Sequence, residues 1–206
     1  MMSSSPSIHI KSLSKRYRHQ EVFANLEDQF LPGKLHLLTG PNGCGKSTYL
    51  KCMMGIVSYE GRVEIQAKRI GYAPEKYILP EFATFVEFMG CLGRIKGLEK
   101  AQTKEALQKW TSLFGLEPFH HTPMARLSKG TQQKINLMQA LIHEPEIILL
   151  DEPFDGLDQE TMSTLLAELI REAKDRVIII TTHQPESFSG RKKQIHAMKK
   201  DKDLDV

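Results

Sequence analysis

Gly40-Pro-Asn-Gly-Cys-Gly-Lys-Ser-Thr48 is the stretch from which the fold is read. It matches G-x-x-x-x-G-K-[ST] without a gap, a pattern whose chemistry is the holding of phosphates. Its glycines adopt backbone angles that other residues avoid, so successive N–H groups turn inward on an anion. The preceding Leu35-His-Leu-Leu-Thr39 reads as a short buried strand, and Tyr49-Leu-Lys-Cys-Met-Met54 continues as a helix that stops at Gly55. A helix opening at Lys46 points its positive dipole end at the same anion. In this frame Gly40, Pro41, Asn42, Gly43, Cys44, Gly45 and Thr48 form the cradle; Lys46 reaches the outer phosphates and the Ser47 hydroxyl ligates magnesium. A full match by chance in 206 residues has a probability on the order of one per cent.

The rest of the chain supports one domain, or one domain with an inserted lobe, able to bury a substantial core. A hydrophobic share of 40% and a charged share of 26% are ordinary for a globular protein. The net charge of +3 gives no argument for nucleic acid, and no nucleic-acid partner is expected. The longest apolar runs, Ile147-Ile-Leu-Leu150 and Val177-Ile-Ile-Ile180, suit buried parallel strands and fall far short of the roughly 20 residues a membrane helix needs. Residues 1–7 have no apolar stretch and read as a loose start, not a signal peptide. Cys44, Cys52 and Cys91 have no C-x-x-C spacing and are expected as free thiols in a reducing cytosol. His120-His121 lacks metal-ligand company and reads as an exposed loop.

Strand signals recur at Ile8-His-Ile-Lys-Ser-Leu13, at residues 22–30 before the Pro32-Gly33 turn, at residues 61–66 and at Arg69-Ile-Gly-Tyr72. From Thr84 to about Gly115 the period becomes helical: Phe85, Phe88, Met89 and Leu92 share one face, and Leu107, Trp110, Leu113 and Phe114 another. The middle third therefore reads as a helical lobe, residues 76–144, set into an α/β core of residues 1–75 and 145–206. The core resumes with the strand at Ile147, a helix over 159–174 and a strand over 176–181. The basic run from Arg191 to Lys200 reads as a solvated charged tail.

A second motif, Ile147-Ile-Leu-Leu-Asp-Glu152, is an apolar strand ending in two carboxylates. A phosphate-loop site needs an acid at the tip of a neighbouring strand to hold magnesium, and Asp151 fits. Glu152 stands where a carboxylate polarises a water against the γ-phosphate. A third motif, Leu127-Ser-Lys-Gly-Thr-Gln-Gln133, precedes a helical run over 133–143 that leads into the acidic strand. Together with Asp155-Gly-Leu-Asp158 and with His183 after the last core strand, the chain resembles the nucleotide-binding ATPase subunit of ATP-binding-cassette (ABC) transporters.

The resemblance covers nearly the whole chain and implies the ABC ATPase fold: an α/β P-loop NTPase core with an antiparallel β subdomain and an inserted α-helical subdomain. It implies ATP and Mg2+ as ligands, with Tyr17 as the aromatic on adenine, Glu152, His183 and Lys46 as catalytic groups, and Ser47, Glu75 and Asp151 at the metal. It further implies that Ser128, Lys129 and Gly130 contact ATP held by a second subunit. The working unit is then a head-to-tail homodimer, or a heterodimer with a similar ATPase, with Asp158 aligning the opposite site. A separate transmembrane permease follows as partner and the cytoplasmic membrane face as location. The permease's coupling helices would dock on the segment after Glu75.

The chain departs from the family pattern at three places. Ser-Lys-Gly-Thr replaces the common Ser-Gly-Gly-Gln, Glu75 replaces a magnesium-contacting glutamine, and Cys44 replaces a small residue, placing a thiol in the pocket. The lysine-containing signature resembles small exporter-type subunits, so export is the expected direction. The alternative is a soluble mechanochemical ABC ATPase acting on DNA or ribosomes. It is disfavoured because the interval from Thr48 to Ser128 holds only a small lobe, and one cassette is present. A small-molecule kinase would leave Leu127-Ser-Lys-Gly-Thr-Gln-Gln133 and His183 without a role.

Overall fold

Alternation along the apolar strands organises the molecule. The computed structural model describes residues 5–18 and 20–199. Strands β1 (Ser7–Tyr17), β2 (Gln20–Phe30) and β4 (Glu60–Gln66) form an antiparallel sheet of order β2-β1-β4. Strands β3 (Leu35–Thr39), β5 (Ile70–Ala73), β6 (Ile147–Asp151), β7 (Val177–Thr182) and β8 (Lys193–Ala197) form a second, parallel sheet of order β5-β6-β7-β3-β8. Successive side chains of a strand point to opposite faces, and both faces of the parallel sheet are covered. Leu35, Leu37, Ile148, Leu150, Ile178 and Ile180 enter one hydrophobic cluster; Leu38, Ile147, Leu149, Val177 and Ile179 enter the other. This double burial is why these strands read as unbroken apolar runs.

The first cluster is closed by helices α2 (Phe85–Ile95), α3 (Lys100–Phe114), α4 (Lys129–Leu141) and α5 (Gln159–Glu172). Phe85, Met89, Trp110, Phe114, Ile135, Met138, Leu165 and Leu169 supply their apolar stripes. The second is closed by helix α1 (Lys46–Met53) and the antiparallel sheet, through Tyr49, Leu50, Ile8, Leu13 and Phe30. Helix starts are set by side-chain caps: Thr84 and Glu87 make a reciprocal capping box on α2, Ser128 caps α4 and Asp158 caps α5. Among the described residues no helix is long and apolar enough to cross a membrane.

Two expectations change. The basic run does not leave the fold as a tail: Lys193–Ala197 is strand β8, paired with β3 from Leu35↔Lys193 to Thr39↔Ala197. The open edge of β3 provides the hydrogen-bond ladder, and Lys193 Nζ finds the Phe188 and Pro185 carbonyls at 2.9 and 3.3 Å. Tertiary pairing thus overrides a charge-rich local sequence. The loose start over residues 1–7 is corrected only at Ser7, which is buried and opens β1; residues 1–4 and Lys200 lie outside the described residues. His120 also differs: it is half-buried against the Phe85 ring, centroids 5.5 Å apart, while His121 is exposed.

Candidate active site

The phosphate-loop residues join β3 to α1, and the helix begins at Lys46 with Gly45 as N-cap at φ 99°. Gly40 shows why a glycine is needed: at φ 153°, a Cβ there would stand 2.5 Å from the Met198 carbonyl oxygen and 2.7 Å from Cys44 Sγ. The loop borders a cleft of about 600 Å³ lined by Asn42, Gly43, Cys44, Gly45, Lys46, Ser47 and Thr48. Tyr17, Glu75, Glu152 and His183 complete its walls, so four distant segments converge as the sequence leads one to expect. Gln20, Glu21 and Val22 line it too, and no sequence motif singled them out; Asp155, the first residue of the Asp155-Gly-Leu-Asp158 motif, joins them.

Lys46 Nζ donates to the Gly40 carbonyl at 2.9 Å and lies 3.5 Å from Glu152 Oε1. Both side chains are largely buried, so this ion pair sits in a medium where charge is costly unless matched. Glu152 has φ 45°, a left-handed conformation that a non-glycine residue keeps only when its surroundings hold it. Those surroundings are visible. Its N–H donates to Thr181 Oγ1 at 2.8 Å, and that hydroxyl donates to Asp151 Oδ1 at 2.7 Å. Thr181 stands opposite Asp151 in the β6–β7 register, so the sheet builds this clamp and sequence spacing alone could not find it.

Glu152 Oε2 meets His183 Nδ1 at 3.1 Å, while Gln184 Nε2 lies 3.1 Å from His183 Nε2. The amide donates, so His183 accepts at Nε2 and its Nδ1–H donates to the carboxylate. Donor atoms of Glu152, Asp155 and His183 lie within 4.8 Å of one another. The oxygen donors Ser47 and Glu75 line the same cleft, and hydroxyl and carboxylate oxygens suit a hard cation such as Mg2+. Asp151 is buried and does not line the cleft, and its Oδ1 accepts from the Thr181 hydroxyl. Tyr17 is 46% exposed at the cleft edge, with Lys15 Nζ 4.2 Å from its ring centroid.

Ser128, Lys129, Gly130 and Asp158 do not line this cleft. Ser128 and Lys129 are exposed at the start of α4, where Ser128 Oγ accepts from the Thr131 N–H at 3.2 Å. Asp158 accepts from the Thr161 N–H at 2.8 Å and pairs with Lys134 at 3.1 Å; the Thr161 hydrogen bonds above all hold its carboxyl below the usual range. Gly130 is required by close approach, since a Cβ there would meet the Gly156 carbonyl oxygen at 2.6 Å. The amides of α4 tie it to the cleft: Gln133 donates to the Pro153 carbonyl, Asn136 to that of Pro74 and Gln139 to that of Tyr72. Cys44 corrects an expectation: it borders the cleft but is only 2% exposed, so its thiol is not open in the pocket. All three cysteines are free thiols.

A parallel sheet with a phosphate loop at the C-terminal end of β3, an acidic turn after β6 and a capped signature helix together define an ABC-type ATPase fold. The pattern of the ABC transporter family matches residues 23–155, and the chain belongs to that family as an ATP-binding, ATP-hydrolysing subunit. It is 32% identical over 200 residues to an ABC transporter ATP-binding protein of Methanocaldococcus jannaschii, covering 96% of this chain and 76% of that one. The manganese transport system ATP-binding protein of Halalkalibacterium halodurans is 31% identical over 188 residues, covering 83% of this chain and 73% of that protein. The zinc import ATP-binding protein of Vibrio vulnificus is 33% identical over 182 residues, covering 85% and 67%. Among solved structures, the ATP-binding subunit of an ABC transporter superposes with a TM-score of 0.86 at 27% identity, covering 93% of this chain and 85% of that one.

Proposed function

We propose that this subunit works as a head-to-tail dimer that binds two ATP molecules between its halves and drives a separate permease at the cytoplasmic membrane face. One observation carries the reading: Lys46, Glu152 and His183 share a single cleft with the phosphate loop, while Ser128 and Lys129 stand exposed outside it with Gly130 half-buried beside them. A signature helix start turned away from its own cleft calls for a partner's phosphate. In this scheme the loop N–H groups and Lys46 hold the β- and γ-phosphates, Tyr17 stacks on adenine, and Glu152 takes the proton of the attacking water. His183 orients Glu152 and meets the γ-phosphate, and Asp158 aligns the opposite site through its loop. Ser47, Glu75 and Asp151 are the proposed Mg2+ ligands, and the ion when bound neutralises charge on the phosphate oxygens. Permease contact is supported by Ile78 and Phe82, 98% and 93% exposed in the segment between β5 and α2.

Export is the proposed direction, on the resemblance of the Ser128-Lys129-Gly130 signature to exporter-type subunits. Import is the second reading, favoured by relatives named for zinc and sulfate/thiosulfate import. The core domain boundaries proposed are residues 1–75 and 145–206, with the helical lobe over 76–144. The test is reconstitution with a permease encoded beside this chain, in vesicles with ATP on the side of the subunit. ATP-dependent movement of a solute supports the reading, and its direction decides between export and import. ATP hydrolysis that no permease stimulates, but that nucleic acid or ribosomes do, would replace it with the mechanochemical alternative.

A further inference from the structure

His36 is a polar residue on an otherwise apolar sheet face, and it has no place in the cleft. It lies between Leu35 and Leu37 in β3, fully buried, with its ring on the side of the second cluster. Its Nε2 lies 2.8 Å from the Leu31 carbonyl and its Nδ1 3.2 Å from His196 Nε2. His196 Nδ1 lies 2.7 Å from Asp28 Oδ1, and the Tyr49 hydroxyl donates to Asp28 Oδ2 at 2.5 Å. Phe30 packs against both imidazoles, with ring centroids at 5.1 and 4.6 Å. The chain of polar groups therefore joins β8, β3, β2 and α1.

Donor and acceptor roles in this chain are forced. A carbonyl only accepts, so His36 donates from Nε2 to Leu31. Burial keeps His36 neutral by pushing it down to about 4, so its Nδ1 is an acceptor and His196 Nε2 must donate to it. Asp28 is half-buried, which opposes its ionisation, yet the bonds from His196 and Tyr49 outweigh this and hold its carboxyl below the usual value. It accepts on both oxygens, so His196 also donates from Nδ1. In this arrangement His196 donates from both ring nitrogens, one bond to each partner.

Two residues beyond His196 the same strand end reaches the phosphate loop. The Met198 N–H donates to the Thr39 carbonyl at 2.7 Å, and the Met198 carbonyl oxygen lies where a Cβ on Gly40 would meet it at 2.5 Å. Tyr49, at the other end of the polar chain, lies in the first turn of α1, two residues after Ser47. We infer that His196 is a positioning residue for the phosphate loop: it clasps β8 to β2, β3 and α1, and β8 in turn holds the Met198 carbonyl against Gly40. The inference rests on the proposed ATP chemistry for its nucleotide readout only; the order of the loop is measured independently.

The clasp needs both protons of His196. Losing one sets an acceptor against an acceptor, either at Asp28 Oδ1 or at His36 Nδ1. The ionisable groups facing the two imidazoles are Asp28 on β2, Tyr49 on α1 and Lys34 in the turn before β3; Cys52 lies beside Tyr49. A side chain that offers a single donor atom therefore breaks one of the two bonds.

The test compares wild type with His196→Gln, which retains one donor in place of two. The first readout is alkylation of the nucleotide-free protein, followed by mass spectrometry. Cys44 is buried under the loop and reports its opening; Cys52, fully buried in α1, reports global unfolding; Cys91 is exposed and reports reagent activity. The variant is expected to label Cys44 roughly 3–10-fold faster, the worth of about one net hydrogen bond, with Cys52 unchanged. The second readout is the ratio of Kd for Mg-ATP, variant over wild type, at one fixed pH. It should be roughly 3–10, the worth of about one net hydrogen bond. Equal acceleration of Cys44 and Cys52, an unchanged Cys44 rate, or a Kd ratio of one would overturn the inference. If His196→Gln does not fold, Tyr49→Phe removes one bond of the same chain while keeping the ring against Phe23, and the same Cys44-over-Cys52 selectivity decides. Absence of ATP binding by the wild type would sink the proposed function and leave the alkylation readout standing.

Discussion

Glu152→Gln separates the proposed base from everything else Glu152 does. The substitution exchanges one carboxylate oxygen for an amide nitrogen and leaves the Glu152 N–H bond to Thr181, which holds the φ 45° turn, untouched. The fold is therefore expected to survive. Two energies change in opposite directions. An amide does not take a proton from water, and general-base assistance of roughly 10²–10⁴-fold corresponds to about 3–5 kcal/mol of barrier. Against this, a negative charge is removed beside the place where the γ-phosphate would enter. A unit pair at 4 Å in an effective dielectric near 20 is worth up to about 4 kcal/mol. Lys46, 3.5 Å from Glu152 Oε1, also loses a competitor for its charge. Binding of ATP should thus hold or tighten while turnover collapses. Phosphate release at saturating Mg-ATP measures the first effect and a fluorescent-nucleotide titration the second. Gel filtration of the variant should show a dimer with Mg-ATP and a monomer without it, and adding Ser128→Arg should restore the monomer. Turnover within tenfold of wild type would refute the role of Glu152. A variant that binds ATP yet stays monomeric, even with its permease, would refute the sandwich.

Other perturbations probe the remaining parts. Lys46→Ala removes the cation aimed at the outer phosphates and should weaken ATP binding roughly 10- to 100-fold, the worth of a charged hydrogen bond, and abolish turnover; normal hydrolysis would discard the phosphate-loop assignment. Gly130→Ala places a methyl group 2.6 Å from the Gly156 carbonyl oxygen, and urea denaturation should show a loss of about 1–3 kcal/mol. Equal midpoints would show that the two loops do not press together. His143, buried between α4 and β5, is pushed down to about 4 by burial and then by the nearby Lys96 charge. Its folded-state value lies below the ordinary 6.5, so the unfolded chain binds the proton first. Stability from this group is full above pH 6.5 and is lost as pH falls toward 4, with a slope of up to about 1.4 kcal/mol per pH unit. His143→Gln, which keeps a donor for the Ile70 carbonyl, should flatten urea midpoints measured from pH 7.5 to 4.5; parallel curves for the two proteins would refute this.

What the amino-acid sequence determined by itself is local chemistry. Gly40 through Thr48 requires left-handed backbone and a helix start, Ile147–Leu150 and Val177–Ile180 are apolar at every position because both faces are covered, and Ser128 and Asp158 cap the helices that follow them. Each of these depends on residues within a few positions, so composition and spacing carry it. What only the tertiary structure decided depends on register between distant strands. Thr181 becomes the clamp on Asp151 and Glu152 because β6 and β7 align Asp151 with it. Asp155, Gln20 and Glu21 join the cleft because the start of β2 and the turn after β6 both border it, and Cys44 is sealed beneath its own loop. The basic C-terminal run shows the division most clearly. Its charges fit a solvated tail, yet the unpaired edge of β3 offers a full ladder of backbone hydrogen bonds, and half-buried Asp28 and buried His36 offer His196 both of its partners. Those partners lie 168 and 160 residues away in the chain, a distance across which no local pattern reaches.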